Sequence, residues 1–113
     1  MIFSLHAQAG VTFFGVTAEF WNKIDEVDKF LYVQGIFDGL IFSRLDINGV
    51  SISTDLSLEQ YIHAIDEMYS DYRNALIPVP IIIKVISMEL NGTPKDVIES
   101  ELSDQRRGIS GQP

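Results

Sequence analysis

The stretch on which the fold depends reads Phe30-Leu31-Tyr32-Val33-Gln34-Gly35-Ile36-Phe37-Asp38-Gly39-Leu40-Ile41-Phe42. It is apolar nearly all round when it is drawn as a helix, and a helix of that kind is typical of the middle of a protein. Asp25 can cap its start, with Asp28 in the positive first turn. The sequence therefore predicts a central helix from about Glu26 to Arg44.

Two glycines, Gly35 and Gly39, lie one turn apart on one face of this helix. Each costs helix propensity of about 1 kcal/mol, but each also lets another backbone approach closely. A ligand groove is the functional interpretation of the pair. Packing against another helix is the structural one, and we favour it.

The same helix carries two polar side chains one turn apart, Gln34 and Asp38. A carboxylate in such apolar surroundings must reach solvent or find a buried partner, so the pair is a candidate buried polar site. Asp38 is either a perturbed acid in a pocket or the partner of a buried backbone group or of a cation. We favour the structural alternative, and the candidate cations are Lys84, Arg44 and Arg73.

Capping signals and apolar spacing predict the other helices. A short first helix is expected over Thr17 to Ile24, and Ser57 with Gln60 forms a capping box that opens the clearest helix of the chain. Its apolar stripe consists of Leu58, Tyr61, Ile62, Ile65, Met68, Tyr69 and Tyr72. Thr93 and Pro94 start a last amphipathic helix that should end near Arg107.

The segment Pro80 to Leu90 is ambiguous between strand and helix. Its β-branched residues favour a strand, whereas its length, its proline start and the stop at Gly92 favour a helix. We predict a helix. The fold class is then all-α, a compact bundle of four to five helices around a central apolar helix, forming one domain over residues 10–107 with a disordered tail at 108–113.

The connection from about residue 46 to residue 55 breaks the helical pattern. Its Asn48-Gly49 pair, flanked by short polar and apolar alternation, favours a small β-hairpin. Long ordered connections often carry recognition, so this loop is the first candidate contact surface, through Asp46, Asn48 and Asp55.

Composition excludes several functions. The 113 residues are 46% hydrophobic, enough for one core, and their formal net charge of −8 repels phosphate backbones and anionic lipid surfaces. A nucleic acid is therefore excluded as a partner, whereas a protein with a basic surface would be attracted. Without cysteine there is no disulfide, thiolate catalysis or zinc-thiolate site, and the longest apolar stretch is too short to span a membrane.

The first residues resemble the end of a signal peptide. Ala7-Gln8-Ala9 has the small-x-small form of a cleavage site, but the preceding Ile2-Phe3-Ser4-Leu5 is shorter than a hydrophobic region requires, and no basic region precedes it. Residues 1–9 are either the remnant of a signal peptide or a coincidence. The first alternative makes the protein periplasmic or secreted, and the second leaves it cytoplasmic.

No catalytic constellation is recognisable. His63 stands between Glu59 and Glu67 at helical spacing, but this side of the helix is opposite the apolar stripe and is predicted to be exposed. No zincin, nucleophile-elbow or EF-hand motif is present, so we predict no enzyme, no metal and no cofactor. Glu59, Asp66 and Glu67 instead form a second candidate contact surface.

A combination of segments suggests a family. The segments are Trp21, Lys29, Tyr32-Val33-Gln34-Gly35-Ile36-Phe37-Asp38-Gly39, Tyr69-Ser70-Asp71-Tyr72-Arg73-Asn74 before Ile77-Pro78-Val79, and Leu90-Asn91-Gly92. Together they resemble a group of small exported bacterial all-helical proteins, mostly of unknown function. The chain is more loosely similar to the Rap/Tai immunity proteins of type VI secretion. The resemblance implies export through a cleaved signal and, for the immunity branch, a homodimer that binds a toxic effector. The chain lacks the cysteine pair usual in that branch.

These observations give two candidate functions. The first is a periplasmic protein-binding module, immunity-like and inhibitory, that uses the loop at 46–55 and an acidic helix face. The alternative is a carrier of a small apolar ligand, held between the face of Gly35 and Gly39 and the side of Tyr61, Tyr69 and Tyr72. A hydrolase built on Asp38 and His63 is the least favoured.

Overall fold

The computed structural model describes residues 16–110, with side chains as far as Arg107. These residues form five α-helices and one two-stranded antiparallel hairpin, which confirms the predicted helical bundle with a short hairpin. The predicted signal remnant at 1–9 and the end of the predicted tail, 111–113, lie outside the described residues. The elements are α1 (Ala18–Trp21), α2 (Glu26–Leu40), β1 (Asp46–Ile47), β2 (Val50–Ser51), α3 (Leu58–Tyr69), α4 (Val79–Leu90) and α5 (Lys95–Ser110).

Helix α4 is the centre of the bundle. Pro78 precedes it, Pro80 occupies its first turn, and Gly92 adopts a φ of 82° just beyond its end, as the predicted helix over Pro80 to Leu90 requires. The helix packs against α3, α5 and β2. Its buried residues are Val79, Ile82, Ile83, Lys84, Val85, Ile86, Ser87 and Met88.

The prediction that the Glu26 to Arg44 stretch is the central helix is wrong. Within α2 only Lys29 and Val33 are buried, and the helix ends at Leu40 before a 3₁₀ turn over Ile41–Ser43. Helix α4 instead has eight of its twelve residues buried. Helix α2 packs on α3 at the periphery, and one of its sides faces water.

Helix α3 forms the layer between α2 and α4. The predicted capping box is present, since Ser57 accepts a hydrogen bond from the Gln60 backbone and the Gln60 side chain accepts one from Ser57. Tyr61 and Tyr69 bury their rings and donate to backbone carbonyls at 2.5 Å, Tyr61 to Ser53 and Tyr69 to Ile77. These two hydrogen bonds connect α3 to the segments before and after it.

The hairpin is attached to α4. Its register pairs Asp46 with Ser51 and Ile47 with Val50. The Asn91 side-chain amide donates to the Ser51 carbonyl at 2.9 Å. After β2, the backbone amide of Ser53 donates a hydrogen bond to the Ser87 hydroxyl of α4 at 3.0 Å.

Helix α5 is joined to the core by a partly buried ion pair. Lys84 Nζ of α4 lies 2.8 Å from Glu101 Oε2 of α5, with side-chain exposures of 8% and 22%. Gln105 donates a second hydrogen bond to the same carboxylate oxygen at 2.9 Å. Leu102 is buried beside this pair, and α5 continues to Ser110, past the predicted end near Arg107. No helix within residues 16–110 has both the length and the apolar character needed to span a membrane.

A second charged cluster lies where the C-terminal half of α5 meets the segment after α3. Arg73 holds the Asp71 carboxylate with two side-chain hydrogen bonds at 3.0 and 2.7 Å, and Arg106 of α5 donates to Asn74 Oδ1 at 2.9 Å. These bonds from Arg73 lower the pKa of Asp71 to about 2. Lys84 likewise lowers the pKa of Glu101.

We expect Glu101→Gln to lower the free energy of unfolding by about 2–3 kcal/mol, because it leaves the buried Lys84 charge without its partner. The double variant Lys84→Met/Glu101→Leu removes both charges and should lie within about 1 kcal/mol of the parent. Urea unfolding at neutral pH measures both. Glu89→Gln, at an exposed site, is the control, and a double variant as unstable as the single one would contradict the expectation.

Acid should weaken the end of the bundle held by Asp71. A carboxyl group with a lowered pKa in the folded state stabilises the fold above its unfolded pKa, and this stabilisation is lost as the pH falls toward about 2. Urea midpoints at pH about 7 and about 3 should therefore differ more for the parent than for Asp71→Asn, which keeps the backbone cap but does not titrate. An equal change of the urea midpoint between the two pH values in both proteins would contradict this expectation.

Candidate functional site

The solvent side of α2 is the most unusual surface of the described chain. Lys29 and Val33 turn inward, so the residues on the opposite side of the helix and in the following turn face water. We call these residues the outer face: Val27, Phe30, Leu31, Gln34, Gly35, Asp38, Ile41 and Phe42. Val27, Leu31, Ile41 and Phe42 are 66%, 63%, 65% and 92% exposed. Several exposed apolar side chains on one side of a helix mark a candidate interaction surface.

Gly35 and Gly39 both lie on the exposed side of α2. A Cβ atom built on either glycine meets no other atom within 4 Å. The predicted packing of another helix of this chain against them is therefore wrong for the described residues. The predicted carrier site is not assembled either, because the glycines face solvent, Tyr61 and Tyr69 are in the core, and Tyr72 is 85% exposed in the turn after α3.

The candidate buried polar site at Gln34 and Asp38 is also wrong. Both residues are exposed, and Gln34 Nε2 donates to Asp38 Oδ1 at 3.2 Å. The reason is the position of α2, since a peripheral helix can direct its polar residues to water without a buried partner. Two of the cations proposed as partners of Asp38 are engaged elsewhere, Lys84 with Glu101 and Arg73 with Asp71.

Asp66, a predicted contact residue, has partners within the fold, and its side chain is 39% exposed. Its Oδ1 atom accepts a 2.7 Å hydrogen bond from Trp21 Nε1 and lies 3.1 Å from Lys29 Nζ. The Lys29 ammonium lies 5.1 Å from the centroid of the Trp21 ring, within the range of a cation–π interaction. Asp66 follows Ile62 by one helical turn, and that spacing could have predicted its inward position.

The other acidic residues of α3 lie where they were predicted. Glu59 and Glu67 are exposed, as is His63, whose Nε2 is 3.9 Å from Glu67 Oε2. Glu59 also lines a cleft of about 280 Å³ between α2 and α3, which it shares with Glu26, Val27, Phe30, Leu31 and Ile62. The sequence did not indicate this cleft, because it depends on how α2 docks on α3.

The hairpin residues have local structural roles. Asn48 and Gly49 have φ values of 50° and 84°, and Asp46 Oδ1 accepts from the Gly49 amide at 2.8 Å. Asp46, Asn48 and Asp55 are exposed. The hairpin is bonded to α4, whereas Asp66 is bonded to Trp21 of α1 and Lys29 of α2.

The described residues offer little chemistry. Within residues 16–110 no three His, Asp or Glu side chains come together in a way that could hold a metal ion. Burial raises the pKa of Tyr61 and of Tyr69, and both phenols already donate to carbonyls. The apolar outer face and the adjacent cleft are therefore the features that call for a functional explanation.

Comparison with protein-family models, with curated proteins and with solved structures finds no match for this chain.

The two exposed glycines lead to a testable consequence. Gly35→Ala and Gly39→Ala should each raise the free energy of unfolding by about 0.5–1 kcal/mol, because both sites are helical and have room for a methyl group. Thermal unfolding followed by circular dichroism measures the gain. Gly92→Ala, at a positive φ, is the control and should destabilise the protein, and a loss of stability at Gly35 or Gly39 would contradict the open geometry.

Proposed function

We propose that the chain is a non-catalytic protein-binding module whose binding surface is the outer face of α2. The observation that supports this most strongly is the exposure of four large apolar side chains, Val27, Leu31, Ile41 and Phe42, on one helix and the turn that follows it. Leaving so much apolar surface in water lowers solubility, and a partner that covers it gains from its burial. Gly35 and Gly39 lie between these residues and carry no side chain, so a partner's backbone can approach the helix closely there.

Charge indicates the nature of the partner. Every exposed Asp, Glu, Lys or Arg of α2 and α3 is acidic, because the one cation of these helices, Lys29, is buried against Asp66. The exposed acids are Glu26, Asp28, Asp38, Glu59 and Glu67. A partner with a basic surface is attracted to this side, whereas a second copy would bring like charges together.

The proposal extends to export and to inhibition of the immunity type. Its support is the small-x-small segment Ala7-Gln8-Ala9, which lies outside the described residues, and the resemblance to exported helical proteins. An intact mass that begins at Gly10 in the periplasmic fraction of the native host would support export. A full-length chain in the cytoplasm would contradict it.

The alternative function, a carrier of a small apolar ligand, is less well supported. The cleft between α2 and α3 has a volume of about 280 Å³, below the roughly 300–1,000 Å³ usual for ligand pockets. Its walls include Val27 and Leu31, which remain mostly exposed. A small ligand there would keep much of its surface in water.

The binding surface is tested by placing a photo-reactive amino acid at Leu31 or Phe42 in the native host and identifying the cross-linked protein. With the purified partner, Leu31→Ser and Phe42→Ser should each weaken binding about tenfold, because anchors in an interface contribute more than 1 kcal/mol. Isothermal titration calorimetry measures the affinities. Both sites are exposed, so the free energy of unfolding should change by less than about 0.5 kcal/mol.

The matched control is Val97→Ser, which removes an apolar side chain that is 46% exposed on α5. It should leave the affinity within about twofold of the parent. Cross-linking from Asn48 of the hairpin, but not from the outer face, would show that the binding surface was misplaced.

A further inference from the structure

The cleft between α2 and α3 combines an apolar floor with an acidic rim. Ile62 forms the floor and is 3% exposed, while Val27, Phe30 and Leu31 form the walls. Glu26 and Glu59 complete the lining, one from the first turn of each helix. Its volume of about 280 Å³ suits one or two large side chains.

The two carboxylates of the rim differ in their surroundings. Glu26 Oε1 lies 3.9 Å from Lys29 Nζ, and the Lys29 ammonium is closer to Asp66 Oδ1, at 3.1 Å, while the Glu26 side chain is 76% exposed. Glu59 has no hydrogen bond or ion pair from its side chain among the described residues. Both acids are therefore available to a cation that enters the cleft.

The apolar floor and the acidic rim together determine which kind of ligand fits the cleft. A purely apolar ligand would displace water from the carboxylates without replacing the hydrogen bonds that the water makes. A second copy of this chain would bring more negative charge to the cleft. A basic side chain fits better, because lysine and arginine lay their methylene groups along apolar surface and keep the charged end at the rim. Phe30 also lines the cleft and is 40% exposed, and an aromatic ring attracts a cation that lies over its face.

We infer that the cleft is the anchor site for a cationic amphipathic helix of a partner protein. One large apolar side chain occupies the floor over Ile62, and a lysine or arginine one helical turn away pairs with Glu59 and Glu26. This inference rests on the proposed function and adds the class of partner segment and the residues that receive it.

The test uses a designed amphipathic helix of leucine and lysine as the probe, titrated into the ¹⁵N-labelled full chain. We expect amide shifts confined to the surroundings of Val27, Leu31, Glu59 and Ile62. The same peptide with glutamate in place of lysine should cause none. Shifts spread along the whole outer face as far as Phe42, or equal binding of the two peptides, would overturn the inference.

Variants separate the cleft from general attraction to an acidic protein. Glu26→Gln/Glu59→Gln should weaken peptide binding about tenfold, whereas Glu89→Gln/Glu99→Gln, with the same change of net charge at exposed sites elsewhere, should change it by less than about twofold. Leu31→Ser should weaken peptide binding, whereas Val97→Ser, on α5 away from the cleft, should not. Equal losses from the two charge variants would overturn the inference.

The two proposals can fail separately. If cross-linking finds a partner on the outer face but the peptide does not use the cleft, the protein-binding function stands and the cationic anchor is wrong. If the peptide binds in the cleft but no partner cross-links at Leu31 or Phe42, the cleft has the predicted chemistry and the assignment of the outer face fails.

Discussion

The burial of most of α4 is the constraint on which the rest of the structure depends. Helix α4 carries apolar side chains in nearly every direction, so covering each of its sides stabilises the fold. Helix α3, helix α5 and the hairpin provide this cover. The single charge in the buried part of α4, Lys84, is retained because Glu101 of α5 reaches it. Once these neighbours are in place, α2 can only be added outside α3.

This arrangement explains which parts of the fold the sequence could predict. The caps at Asp25 and Ser57 and the start and stop of α4 were predicted correctly, because each depends on residues within one helical turn. The identity of the central helix was not, because α2 and α4 are both apolar nearly all round. Long-range packing decides which of the two helices is central. The charged residues did not indicate the answer, since Lys84 is buried in the central helix α4 and Asp38 is exposed on the peripheral helix α2.

The same limit applies to the candidate site. The exposure of Glu59 and Glu67 followed from the spacing of the α3 stripe, and the inward position of Asp66 could have followed from it too. The outer face of α2 and the cleft beside it could not be predicted in this way. A row of apolar residues in a sequence indicates the core, unless another helix is known to occupy the core. A surface of this kind is recognised only when the burial of the whole chain is known.

The contacts of Trp21 have a practical consequence for spectroscopy. The chain contains one tryptophan, which is fully buried, bonded through its indole nitrogen to Asp66 and close to the Lys29 ammonium. Its fluorescence therefore reports on the junction of α1, α2 and α3 alone. Far-ultraviolet circular dichroism reports on all helices together, α4 and α5 included. Comparing the two signals during unfolding would distinguish an independent detachment of the outer layer from a single cooperative transition, with no label added to the protein.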